Sequence, residues 1–331
     1  MPLTPMTRRS ALARAAAVFL APPLGALADT YPSKIISTVI GFPAGGPGDF
    51  IARTVTNRMQ KTLGQSIIVE NVGGVGGAIA AQKVLAAPAD GHTLYYAIVS
   101  DLILTPLSVA SVKYKSEDFR LIGKAADAYL LMLARPDLPV NSLAEFVALA
   151  KSRADRPLTV GHLGRGGVFH LPAERLMRDA GVKLLPVPYR GAGQLMPDLV
   201  SGQVDVAFLA LGGPTLGMIQ KGLLKAVAFA SEQRQPLLPS VPTFNESGLV
   251  KNFVYSAWGG IAVPKNTPES VATRLNTALA ETLANPEVRK ALSDSGVMPP
   301  APMNLAEAGQ FYTSETARWR NLAKAINLQP E

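Results

Sequence analysis

The residues best placed to do chemistry in this chain are glycines, and the chemistry they suggest is capture of an anion. From Thr38 to Arg53 the sequence reads TVIGFPAGGPGDFIAR. A β-rich run ends at Phe42, a turn of glycine and proline follows, and an amphipathic helix is expected to start near Asp49 as its N-cap. A strand that feeds a helix through glycines leaves backbone N–H groups unpaired at the positive end of the helix dipole. Glycine also lets those groups face a ligand with no Cβ in the way. Phe42, Ala44, Gly45, Gly46, Gly48 and Asp49 are therefore candidate ligand contacts. The same residues would equally make an ordinary tight strand-to-helix turn. Two further glycine loops follow, Asn71 to Gly77 (NVGGVGG) and Gly164 to Gly167 (GRGG). The first does not spell G-x-G-x-x-G and lacks an acidic residue after the next strand, so a dinucleotide is not expected.

Other chemistries lack their parts. The chain contains no cysteine, which excludes disulfides, thiolate nucleophiles and zinc–cysteine sites. Its three histidines, His92, His162 and His170, never stand at i, i+4 from one another as a helical metal pair would. His170 opens a helix beside the third glycine loop, where a capping or structural role is expected, since no G-x-S-x-G elbow accompanies it. No paired carboxylates stand out for acid–base work. Neither an enzyme, a metal nor a cofactor is therefore expected. Positive charges are scattered and aromatics make up 6% of the chain, which argues against nucleic acid.

These loops must be positioned by a scaffold of 331 residues, 48% hydrophobic and 17% charged, enough for about two domains. Residues 1–28 read as a secretory signal peptide: Arg8, Arg9 and Arg14 precede the apolar segment Ala15 to Leu24, and Ala26-Leu27-Ala28 is a small-residue cleavage site. Thr7 to Leu12 has a twin-arginine flavour, with Ala11 where a bulky aromatic is usual, so both export routes stay open. Loss of the three arginines would lower the formal charge from +8 to +5. No later run reaches the roughly 18 apolar residues of a membrane helix. From Asp29 onward strands and helices alternate, which argues an α/β fold. Strands are expected at 35–42, 66–69, 93–99, 124–134, 158–161, 184–189, 204–211 and 224–230. Helices are expected at 49–63, 78–86, 170–180 and 192–201, and after Ser142, Thr267-Pro268, Asn285 and Asn304.

With these residues in place the chain resembles the tripartite tricarboxylate transporter substrate-binding receptors, the family of the Bordetella uptake proteins. The matching blocks include Phe42 to Asp49, Asn71 to Gly77, Ala89 to Leu94, His170-Leu171, Pro188 to Gly193, Gly202 to Val206, Val241 to Thr243 with Glu246 to Gly248, Trp258 to Gly260, and Pro264 with Thr267-Pro268. The resemblance implies a two-lobed α/β periplasmic binding-protein fold, type II-like, with two interlobe crossovers. Lobe 1 would be 29–128 plus 254–331, and lobe 2 would be 129–253. It also implies a small carboxylate held between the lobes by N–H groups from Phe42 to Asp49 and from the facing loop Gly164, Arg165, Gly166, Gly167, Val168 and Phe169. A monomeric periplasmic receptor would then hand its ligand to membrane permease subunits. A receptor that signals to a sensor partner is the alternative.

The chain departs from the family pattern at several places. Gly167 replaces a small hydroxyl residue, Leu209 an often polar one, and Arg165 a neutral polar one; Asp101 is also atypical. Leu209 and Phe169 would make the cleft more apolar, and Arg165 would either pair with a ligand carboxylate or stand as a solvated loop tip. Asp101 would either answer an amino group on the ligand or lie solvated in a loop.

Overall fold

The computed structural model describes residues 31–212, 214–325 and 328–330. The proposed signal peptide lies outside them. In chain order the strands are β1 (Ile36–Ile40), β2 (Ile67–Asn71), β3 (Thr93–Ile98), β4 (Phe119–Ala134), β5 (Leu158–His162), β6 (Leu184–Pro188), β7 (Val206–Ala210), β8 (Lys225–Phe229) and β9 (Ser256–Pro264). The helices are α1 (Pro47–Leu63), α2 (Ala78–Ala86), α3 (Thr105–Ser108), α4 (Leu143–Ser152), α5 (Leu171–Ala180), α6 (Ala192–Val200), α7 (Pro214–Gln220), α8 (Glu269–Ala284), α9 (Pro286–Asp294) and α10 (Leu305–Ala325). The expected alternation of strand and helix is present, and the boundaries fall where local chemistry sets them. Gly64 ends α1 in the left-handed region (φ 71°), its N–H donating to the Gln60 carbonyl. Asn304 and Glu307 open α10 with a reciprocal capping box, each side chain accepting from the other's backbone N–H at 2.9 and 2.8 Å.

The organising element is β4, a strand of 16 residues. Its first part, Phe119 to Tyr129, pairs antiparallel with β9, which in turn pairs with β3, and β3 continues through parallel β1 to β2. Its last five residues, Leu130 to Ala134, pair with β7 on one side and β8 on the other, and β7 continues through β5 to β6. One strand thus threads two stretches of sheet, each with its own helices. At the junction Leu130 N–H donates to the Tyr255 carbonyl, Tyr255 N–H to Ala230, and Ala230 N–H back to Leu130, at 2.8–2.9 Å. This is the two-lobed α/β fold that the resemblance implied.

Strand β9 is the longest element the sequence reading missed, beside the short helices α3 and α7. Two adjacent glycines, Gly259 and Gly260, argue against a strand by propensity. Here they are needed for close approach: a Cβ on Gly259 would run into the Tyr96 hydroxyl, and one on Gly260 would sit 2.5 Å from the Gly123 carbonyl oxygen. The neighbouring Trp258 is buried and donates its indole N–H to Glu315 on α10 at 2.8 Å, as does Trp319 at 2.9 Å. The C-terminal helix is thereby tied to the central strand.

Candidate functional site

Helix α1 starts two residues earlier than expected. Gly46 is its N-cap, Pro47 occupies N1, and Asp49 falls at N3 rather than at the cap. The carboxylate of Asp49 folds back over the turn, accepting from Gly45 N–H at 3.1 Å, Asn71 Nδ2 at 2.9 Å and Arg53 Nε at 3.0 Å. Burial alone would raise its pKa, but these hydrogen bonds and the Arg53 charge hold it below the usual carboxylate range. Asn71 also donates to the Phe42 carbonyl at 3.0 Å. Asp49 is thus a fixed ionised brace that shapes the turn, and it does not line the cavity described below. With Pro47 lacking an N–H, the donors left without a partner among the described residues are those of Gly48 and Asp49.

A second turn of the same kind comes from the other stretch of sheet. Gly191 is the N-cap of α6, and the N–H groups of Ala192 and Gly193 have no partner there, the Gly191 carbonyl taking Gln194 and Leu195. The two turns touch: a Cβ on Gly191 would lie 3.2 Å from the Pro43 ring. Next to them, a Cβ on Gly212, just beyond β7, would lie 3.6 Å from Pro47 Cβ. Together the turns close one end of a cavity of about 90 Å³. Its floor is laid by strand residues, among them Tyr96, Ile98, Ala126, Ala128 and Ala257, with Leu163, Phe169 and Leu209 on the facing side. No acidic, basic or histidine side chain lines it among the described residues.

Of the expected contacts, Phe42, Ala44, Gly46, Gly48, Phe169 and Leu209 line this cavity, whereas Gly45, Asp49, Asp101, Gly164, Arg165, Gly166, Gly167 and Val168 do not. The loop Gly164 to Val168, expected to grip the ligand, docks on the opposite sheet segment. Val168 N–H donates to Ser100 Oγ at 3.0 Å, Gly167 N–H to the Gly164 carbonyl at 3.3 Å, and Gly166 N–H to His170 Nδ1 at 3.1 Å. Three of its donors are thus taken, that of Val168 by the facing segment and those of Gly166 and Gly167 by His170 and the loop's own carbonyl. Arg165 is exposed and outside the cavity lining, so the expected carboxylate grip is not the contact its position gives it.

His170 does the structural work expected of it, though through its ring rather than as a side-chain cap. Nδ1 accepts from Gly166, and Nε2 faces Glu174 Oε1 at 3.1 Å. Burial, with His162 and Arg165 nearby, pushes its pKa down to about 3, so the imidazole is neutral at physiological pH.

Asp101 corrects both readings made of it. It lies in a π-helical turn, Ser100–Leu104, and is fully buried, away from solvent and from the cavity lining. Its carboxyl packs against two glycines: a Cβ on Gly77 would sit 2.5 Å from Asp101 Cγ, and one on Gly41 would sit 3.1 Å from Oδ2. Burial pushes its pKa up to about 8 despite hydrogen bonds from the Ile98 backbone and the Tyr95 hydroxyl. The acid is therefore mostly protonated at neutral pH, and Oδ1 has no hydrogen-bond partner.

Turns at the ends of two helices, brought together between two stretches of sheet joined by a common strand, define a binding protein of the two-lobed periplasmic type. The chain belongs to the tripartite tricarboxylate transporter family receptors, whose family model matches residues 51–328. Among solved structures it is similar to the periplasmic binding protein BugD, at 31% identity and a TM-score of 0.84, covering 91% of this chain and 100% of that one. It is also similar to MatC from Rhodopseudomonas palustris with bound malate, at 33% identity and a TM-score of 0.82, over 88% and 99% of the two chains. A third, from R. palustris with adipate, shares 28% identity at a TM-score of 0.85, over 91% and 100%.

Proposed function

We propose that this protein is an exported solute receptor that closes its two lobes on a small carboxylate and delivers it to membrane permease subunits of a tripartite transporter. The observation that carries the reading is the meeting of two uncapped helix N-termini, one from each sheet segment, at one end of a shared cavity. The unpaired N–H groups of Gly48, Asp49, Ala192 and Gly193 supply donors and a favourable dipole for an anion without any fixed cation. Relatives solved with malate and with adipate support the ligand class. Export is supported by the arginine-led apolar N-terminus and by the periplasmic relative BugD. Among the described residues no helix is long and apolar enough to cross a membrane.

The proposed division into 29–128 plus 254–331 and 129–253 is supported by the sheet, in which β4 changes partners between Tyr129 and Leu130 and the chain returns through Tyr255. Closure would pivot there. Binding rather than turnover is the proposed activity, because the cavity offers neutral donors and apolar walls and no nucleophile paired with a base.

The test is a thermal-shift and calorimetric screen of the exported protein against mono-, di- and tricarboxylates. One-to-one binding that raises Tm, with the ligand recovered unchanged, supports the reading. Chemical conversion of the ligand, or no shift with any carboxylate, overturns it.

A further inference from the structure

We propose that the ligand this cavity selects carries a single carboxylate on an otherwise apolar body; the proposal rests on the receptor reading above. The charged end has one place to go. Because the Pro43 turn touches Gly191 and Pro47 faces Gly212, the unpaired donors of α1 and α6 converge on one end of the cavity rather than standing at opposite ends. They form one carboxylate site shared by both lobes.

Among the described residues the rest of the cavity has no charged side chain to hold a second carboxylate. The facing glycine loop is the obvious candidate, but its donors at Gly166, Gly167 and Val168 are taken by His170, Gly164 and Ser100. From that stretch only Leu163 and Phe169 reach the cavity, and both are apolar. The strand floor adds Ile98, Ala126, Ala128 and Ala257. A second ionised carboxylate there would lose its water without gaining a cation or the two helix N-termini that serve the first, which is unfavourable.

Two hydroxyls complete the picture. Tyr96 and Thr215 line the cavity, are 1% and 2% exposed, and their hydroxyls make no hydrogen bond among the described residues. Thr215 follows Gly212, whose carbonyl accepts its N–H at 3.3 Å, so it belongs to the carboxylate end. Tyr96 rises from the floor beside Gly259, and burial raises its pKa so that it stays a neutral donor. It satisfies a hydroxyl or carbonyl group on the ligand but leaves most lone pairs of a carboxylate unmet. Tyr96 and Leu209 are thus the residues of the cavity wall that set specificity.

Hexanoate and adipate test this directly, because they share a six-carbon chain and differ by one terminal carboxylate. Calorimetric titration of the wild-type protein with both, and with benzoate and malate, should show hexanoate or benzoate binding more than tenfold tighter than adipate or malate. Leu209→Lys places a cation in the apolar wall and should narrow the hexanoate–adipate ratio at least threefold. Adipate or malate binding as tightly as the best monocarboxylate overturns the inference while leaving the receptor reading intact. Failure of all four acids to bind overturns both. Should Leu209→Lys not fold, the wild-type ratio alone decides.

Discussion

Replacing Asp101 with asparagine should make the protein more stable at neutral pH, and the gain should grow with pH. Asp101 has a pKa of about 8 in the folded protein, because burial disfavours its ionised form, against 3.8 for the free side chain. Below the lower value both states carry the proton and the group contributes no pH dependence. Between the two values the unfolded chain ionises while the folded one keeps its proton, so stability falls as pH rises, by about 1.4 kcal/mol per pH unit. The decline is complete once pH passes the folded pKa. Over two pH units, from 5 to 7, the expected loss attributable to this side chain is about 3 kcal/mol, a large part of the stability of an ordinary domain. Asparagine has nearly the same shape and no titration, so Asp101→Asn removes the slope whatever constant offset it adds. Urea unfolding of both proteins at pH 5, 6 and 7 reads the difference. Curves for wild type and variant that stay parallel over this range would refute the buried, protonated acid.

Three other outcomes follow from the same structure. His170 behaves oppositely to Asp101: burial holds its pKa near 3, below the usual 6.5, so its contribution is present above pH 6.5 and is lost as pH falls. Urea melts at pH 7 and pH 4 should differ by about 3 kcal/mol through this residue, and His170→Gln should flatten that difference. Gly46→Val should weaken carboxylate binding at least tenfold in calorimetry with Tm nearly unchanged, since Gly46 has an ordinary φ of −84°, lines the cavity, and has only the Pro43 carbonyl oxygen at 3.9 Å near its Cβ position. Ser100→Ala leaves the buried Val168 N–H without its acceptor, a cost of about 1–3 kcal/mol to this latch between the two sheet segments. Small-angle scattering should then report a larger radius of gyration for the ligand-free variant than for wild type, and equal values would exclude the latch.

How much of this was legible in the sequence depended on the range of the interaction involved. Helix ends were readable, because a cap involves residues a few positions apart: Gly64 stopped α1 and Asn304 with Glu307 opened α10 as their types demand. Helix α8 begins directly after Thr267-Pro268 as expected, with Pro268 as the cap residue and the Thr267 hydroxyl buried without a partner. Strand β9 was hidden because Gly259 and Gly260 are there to accommodate Tyr96 and Gly123, which are distant in sequence. The first glycine turn was recognisable from its strand-to-helix context. Its counterpart at Gly191 to Gly193 belonged to a block that carried the family resemblance, and glycine before the expected helix was the available sign of a second uncapped N-terminus. The loop at Gly164 to Val168 looked equally suited to an anion. Only the fold reveals that its donors are occupied by Ser100, His170 and its own carbonyl. Asp101 stands in an apolar run, between Ile98-Val99 and Leu102 to Leu104, which was an available sign of burial, but only the fold reveals that Gly41 and Gly77 enclose it.

The central claim is that a carboxylate sits where the two glycine turns meet. Amide chemical shifts of the isotope-labelled protein, followed as the best-binding carboxylate from the screen is titrated in, test it most directly. The account predicts that the N–H resonances of Gly48, Asp49, Ala192 and Gly193 shift together, with one dissociation constant, and more than those of Gly166 and Gly167. Saturable shifts concentrated in the Gly164 to Val168 loop, with the two turns unmoved, would contradict it.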